Sequence, residues 1–173
     1  MLKLLVLVIA CLIAFGAYKY KHPVGARVPD LEYADVTGKV RTLRGTGKPA
    51  VIGFWIADCP YCERMMGVLN KVRRDYPESQ VDVIGFYFNV TTPEALKELG
   101  AANNYGMTLA QAQPPTERVA ALDKGFSPRG VGMDIYLVDK DGGIHTIDVS
   151  NLETPFKDIY PKVTEFLTQE VAQ

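Results

Sequence analysis

The chain has 173 residues, 47% of them hydrophobic and 23% charged, a balance that suits one globular domain with a core of good size. A formal net charge of −1, with lysines and arginines scattered along the chain, leaves no basic field to hold a phosphate backbone and argues against nucleic-acid binding. There is no internal repeat and no low-complexity tail.

The chain opens on a different composition. Residues 4–18, LLVLVIACLIAFGAY, are an unbroken apolar run between Lys3 and the pair Lys19 and Lys21. This is a membrane-targeting segment, but it is shorter than the roughly 20 residues that cross a bilayer core. Three readings stand: an uncleaved signal-anchor, a signal peptide cut near Ala14-Phe15-Gly16, and a lipoprotein signal ending at Cys11. Each assigns residues 1–21 to targeting and residues 22–173 to one domain outside a bacterial cytoplasm. The expected location is therefore the inner membrane, with the domain in the periplasm.

Residues 50–56, AVIGFWI, are a short apolar run rich in β-branched and aromatic residues, which predicts a strand buried on both faces. Past Cys59 the pattern changes. Cys62, Met65, Met66, Leu69 and Val72 recur at helical spacing, with Glu63, Lys71, Arg73 and Arg74 on the other face and Pro77 as the stop. Cys59 thus falls at a helix N-terminus, where unpaired N–H groups and the helix dipole favour a thiolate, and Pro60 suits the first helical position. Cys62, one turn in, is expected to be more buried and less acidic. An exposed thiolate that attacks and a second thiol that resolves the mixed disulfide is what dithiol exchange requires.

The remaining elements alternate. Residues 81–90 predict a second buried strand, with Phe86, Tyr87 and Phe88 in the core. Residues 91–106 predict a helix with a Thr/Pro start and a Gly stop, and residues 107–112 a short strand. A further helix is expected from Pro115 to Gly125. Residues 134–149 read as a β-hairpin about Asp139 to Gly143, with His145 on its surface. A last helix carries Val163, Phe166 and Leu167 on one face. Strands alternating with helices, then a hairpin and a helix, make the domain α/β.

The cysteine count narrows the chemistry. Of three cysteines only Cys59 and Cys62 lie beyond the targeting segment, and the only histidines are His22 and His145, so no metal site is expected. A disulfide closing so short a loop restrains the unfolded chain little, which disfavours a purely structural role. Redox chemistry is the leading reading.

Ahead of the couple stand Pro29-Asp30, Asp35, Gly38-Lys39, Gly47-Lys48-Pro49 and Phe54-Trp55. In this order they resemble the opening of a TlpA/ResA-type thioredoxin-like domain. The resemblance continues through GIHTIDVS and the last helix and covers about residues 25–168. It implies a thioredoxin-like fold with a central mixed sheet flanked by helices. It also implies a redox-active Cys59/Cys62 disulfide, protein thiol or disulfide substrates, a periplasmic or membrane partner that recharges the couple, and no cofactor. The default direction in such a family is reductive, as in cytochrome c maturation.

Three departures from that pattern stand out. The position of the family's cis-proline is Met133, and Pro128 comes five residues too early. A trans peptide is expected before Met133, which either fills the space proline leaves or offers substrates a flexible apolar contact. Asp58 takes the place of a tryptophan before the first cysteine, and either points to solvent or opposes the thiolate. Gly53 stands where thioredoxins bury a proton-relaying aspartate. Substrate contacts are expected from Trp55, which also serves as a platform under the cysteines, and from Pro60, Tyr61 and Met133. Arg64 either stabilises the thiolate or sits on a solvated face. Together the departures leave a second reading open, a catalytically weak binding module in an envelope assembly. A peroxiredoxin is disfavoured, because its cysteine motif with a nearby threonine is missing.

Overall fold

The computed structural model describes residues 27–29, 32–43, 46–89, 91–111, 126, 134–151 and 155–172. The targeting segment with Cys11, His22, the helix expected from Pro115 to Gly125, Pro128, and Met133 with its peptide bond lie outside the described residues.

A small antiparallel hairpin comes first, β1 (Glu32–Ala34) against β2 (Val40–Thr42), turning through Gly38 at φ +80°. Asp35 ties this turn together. Its carboxylate accepts from the Thr37 N–H at 2.8 Å, the Thr37 hydroxyl at 2.5 Å and Arg41 Nε at 2.7 Å. Arg41 also reaches Glu78 at 2.6 Å, linking the hairpin to the turn before the second buried strand.

The next stretch is β3 (Ala50–Trp55), buried at every position as its apolar run predicts. The helix α1 (Pro60–Asp75) follows. It starts on Cys59 with Pro60 in its first turn, and carries Arg73 and Arg74 in its last, where cations suit the helix dipole. Next come β4 (Asp82–Tyr87) and α2 (Pro93–Ala102), whose Thr92 hydroxyl accepts the Ala95 N–H at 3.2 Å as an N-cap. The helix ends a turn earlier than its glycine stop suggests, at Asn103 and Asn104. Asn104 takes a left-handed φ of 53°, which asparagine tolerates. The chain continues through β5 (Thr108–Gln111), β6 (Asp134–Val138) and β7 (Ile144–Asp148) to α3 (Phe156–Val171). The β6–β7 turn uses Gly142 at φ +86°, as the Asp-Gly signal implies.

The five-stranded sheet runs β5-β4-β3-β6-β7, with β3, β4 and β5 parallel and β6 antiparallel to both of its neighbours, β3 and β7. This is the thioredoxin-like α/β arrangement with a central mixed sheet. Strand alternation sends Val51 and Trp55 to one face, where α1 and α3 cover them with Met65, Leu69, Val163 and Leu167. It sends Ile52 and Phe54 to the other, among Tyr33, Phe86, Phe126 and Tyr136. The first hairpin leans on the β5 edge, where the Val36 N–H donates to the Leu109 carbonyl at 3.0 Å.

Candidate active site

The site grows from the end of β3. Beyond Trp55 the chain must leave the sheet and enter a helix in four residues, and it does so through Asp58, in the left-handed region at φ 56°. Aspartate is among the few side chains that accept this backbone, so the residue type answers a turn requirement here. Its side chain is exposed, the solvent-facing alternative of the two the sequence left open.

Cys59 is the N-cap, with extended backbone at φ −122° and ψ 110°. Its carbonyl accepts the Glu63 N–H at 2.9 Å, the first bond of the helix. Its sulfur accepts the Cys62 N–H at 3.2 Å, where a serine or aspartate oxygen would sit in an ordinary cap. Cys59 and Cys62 are joined as a disulfide with their Cα atoms 5.1 Å apart. Cys59 is half-buried, whereas Cys62 is 1% exposed, in the first turn of α1. The couple is therefore asymmetric in access and in electrostatics. After reduction, the N–H and the helix dipole stabilise negative charge on the outer sulfur, and burial disfavours it on the inner one.

Trp55 is only 2% exposed. Its ring lies 4.7 Å from Tyr87 and 5.5 Å from Tyr105, and its Nε1 is buried with no hydrogen-bond partner among the described residues. It is a platform inside the core, packed against two of the protein's own rings. Pro60 is exposed and Tyr61 half-buried, so Tyr61 stands less free of the surface than the middle of an outer turn suggests.

Gly53 has a packing reason. A Cβ there would lie 2.6 Å from Met65 Sδ and 2.7 Å from its Cε, so Met65 occupies the volume a side chain would need. A side chain at this position would have to displace the end of Met65. Arg64 does not lie on a solvated face: it is half-buried, and its Nη1 donates to the Asn151 carbonyl at 2.7 Å, in the loop after β7. Among the described residues no group of three or more His, Cys, Asp or Glu side chains could hold a metal.

Two neighbours of the site escaped the sequence. Asn70, on α1, clamps the α2–β5 loop from both sides of Tyr105: its Nδ2 donates to the Asn104 carbonyl at 2.9 Å, and its Oδ1 accepts the Gly106 N–H at 2.9 Å. Tyr105 is thereby held against Trp55, and burial, with Glu63 nearby, pushes its hydroxyl above the usual tyrosine range. The only sequence signal was a polar residue in the middle of an otherwise well-patterned helix. Asp134 is the other, 2% exposed at the start of β6, on the same sheet face as Tyr136 and opposite to Cys62.

A family model described as AhpC/TSA matches residues 24–147. The thiol-disulfide oxidoreductase ResA of Bacillus thuringiensis (strain Al Hakam) is 30% identical over 136 residues, 75% of this chain and 72% of that protein. ResA of Geobacillus thermodenitrificans is 27% identical over a similar span, 77% of this chain and 73% of that protein. Among solved structures, the thioredoxin domain of a Bacteroides vulgatus thiol-disulfide oxidoreductase superposes with a TM-score of 0.64 at 21% identity, covering 83% of this chain and 96% of that one. A putative protein disulfide isomerase from Bacteroides thetaiotaomicron gives 0.68 at 18% identity, covering 89% and 93%. The two structural likenesses bear on the fold, and the ResA likenesses on the sequence.

Proposed function

The chain belongs to the AhpC/TSA family and is a thioredoxin-like thiol–disulfide oxidoreductase, and on that footing we propose that it reduces disulfides of exported proteins through Cys59 and Cys62. The observation that carries the assignment of roles is the contrast between a half-buried Cys59 on the helix cap and a Cys62 that is 1% exposed. In the reduced protein the Cys59 thiolate attacks a substrate disulfide, forming a mixed disulfide and expelling one substrate sulfur as thiolate. Cys62 then gives up its proton and attacks Cys59 Sγ. The second substrate sulfur leaves, two electrons have passed to the substrate, and the Cys59–Cys62 disulfide remains. A dithiol partner in the membrane or periplasm returns the couple to its reduced form.

Residues 1–21 hold the domain at the outer face of a bacterial inner membrane, a reading supported by the apolar run between Lys3 and Lys19. Among the described residues no helix is long and apolar enough to cross a membrane, and this segment lies outside them. Pro60 and Tyr61, next in sequence to Cys59, are contacts for an extended protein substrate in this reading, and Met133, outside the described residues, is a third on the strength of its position in the sequence alone.

Insulin reduction is the direct test. Cys59→Ser should abolish it, and Cys62→Ser should trap mixed disulfides with substrate. Equal rates in wild type and Cys59→Ser would instead favour the binding module, the reading that the space taken up by Met65 at Gly53 supports. Direction is read from the reduction potential: a value near −270 mV supports a reductant, and one near −120 mV an oxidant. Release of the full chain from membranes by alkaline carbonate would count against the anchor.

A further inference from the structure

Arg64 stands two residues past Cys62 and uses half of its guanidinium. Nη1 donates to the Asn151 carbonyl at 2.7 Å, while Nη2 is buried and has no hydrogen-bond partner among the described residues. A guanidinium keeps its charge at every accessible pH and presents a rigid fork of donors, so a buried, half-used fork is unfavourable until something negative comes near.

The topology says what comes near. The ladder pairs Asp148 with Asp134, and β6 runs antiparallel to β3, so the loop after β7 leaves the sheet at the same end as the β3–α1 turn. Helical side chains lean toward the N-terminus, which carries Arg64 back over the turn holding Pro60 and Tyr61. The guanidinium thus lies between the active-site helix and a loop at the active-site end. Among the described residues of the β3–α1 turn, the first turn of α1, the end of β7 and the first turn of α3, the acidic and basic side chains Asp58, Glu63, Asp148, Lys157 and Asp158 are all exposed to water. Asp148 is itself engaged, accepting the Ser150 N–H at 2.8 Å and the Ser150 hydroxyl at 2.6 Å. In the disulfide form the couple offers the cation no charge.

We propose that Arg64 is a positioning residue whose charge stabilises the Cys59 thiolate and so favours the reduced form of the couple. The proposal rests on the exchange reading above. Two electrons from a dithiol, or from two glutathione thiols, break the S–S bond. The donor sulfurs become a disulfide and give up two protons: Cys62 takes one as a thiol, the other goes to water, and Cys59 is left as a thiolate. Negative charge then appears on the outer sulfur, at the turn over which the half-used guanidinium lies, and partial burial makes the attraction stronger than it would be in water. The same tie to Asn151 that orients the cation keeps it from swinging into solvent.

The full chain is equilibrated with glutathione buffers of graded composition, and the fraction of disulfide is read by alkylation and mass. Arg64→Gln should shift the equilibrium toward disulfide by about threefold, which is about 14 mV more reducing. The pH midpoint of Cys59 alkylation by iodoacetamide should rise with it. Arg64→Lys, which keeps the charge but not the fork, should stay close to wild type. Arg64→Met repeats the neutral arm with the apolar stem retained, should Arg64→Gln fold poorly. An unmoved potential in both neutral variants overturns the proposal, and so does an Arg64→Lys shift as large as theirs. Wild type that reduces insulin no faster than Cys59→Ser sinks the exchange reading itself, whereas an active wild type with an unmoved Arg64→Gln potential sinks only the role of Arg64.

Discussion

The two faces of the sheet are packed by different means. On the face of α1 and α3, small residues in the sheet let helices come close: Gly53 receives Met65, and Gly85 receives Met66 and the Trp55 ring, so a Cβ at either would lie within 3 Å of a methionine end. On the other face β3 offers Phe54, which stacks with Phe86 at 5.6 Å and meets Phe126 and Tyr136 edge-on at the same distance. One face is shaped by backbone approach and methionine adaptability, the other by ring against ring. The redox couple rests on the first. Its inner sulfur is buried by helix packing, and the aromatic face serves stability without touching it.

Substitutions on either side of the sheet test that division, and one in the first hairpin stands apart from it. The largest effect belongs to Phe54→Ala, which empties the centre of the aromatic cluster and should cost about 3 to 5 kcal/mol in denaturant unfolding. The surviving folded fraction should exchange disulfides at the wild-type rate, and a slower rate would break the separation of faces. Asn70→Ala comes next. It removes both bonds of the loop clamp, worth about 0.5 to 1.5 kcal/mol each, and should change the fluorescence of Trp55, the chain's only tryptophan, because Tyr105 is no longer held at its edge.

Gly53→Ala should destabilise by about 1 kcal/mol, as the crowding of Met65 outweighs the entropy gained from alanine. Gly53→Ala combined with Met65→Ala should behave better than the two losses added together, since the second change opens the space the first needs. A purely additive double mutant would mean that Met65 does not own that volume.

The smallest effect is pH-dependent and lies in the first hairpin. Burial pushes the Asp35 carboxyl up, but hydrogen bonds from Thr37 and Arg41 overcome that and hold it below its ordinary value of 3.8. The sign follows: its contribution is fully present above about pH 3.8 and is lost as pH falls through the lower folded value. Asp35→Asn should therefore lower the unfolding midpoint at pH 7 and bring the variant closer to wild type in acid. A gap that widens on acidification would reverse the assignment.

Much of the fold was legible because periodicity reports burial directly. Residues 50–56 read as a strand buried on both faces and are one at every strand position, and Cys62, Met65, Met66, Leu69 and Val72 trace the buried stripe of α1. Local chemistry also marked the N-cap at Cys59, the proline after it and the Gly142 turn. The glycine at 106 overstates the extent of α2, because Asn103 and Asn104 end the helix before it. What the sequence hid were contacts between segments distant along the chain. Arg64 and Asn151 are 87 residues apart, and Asn70 and Asn104 are 34 apart. No pattern within a helix shows what stands across from it.

By itself, then, the sequence determined the strand, the helix and the asymmetric pair of cysteines at their junction, because caps, turns and hydrophobic period are properties of neighbouring residues. Only the tertiary structure decided what surrounds that junction: a methionine filling the side-chain space at Gly53, a left-handed Asp58 turned to water, and a half-buried arginine tied to a loop beyond β7. These depend on which elements pack side by side, and packing sets how much room and how much charge each sulfur meets.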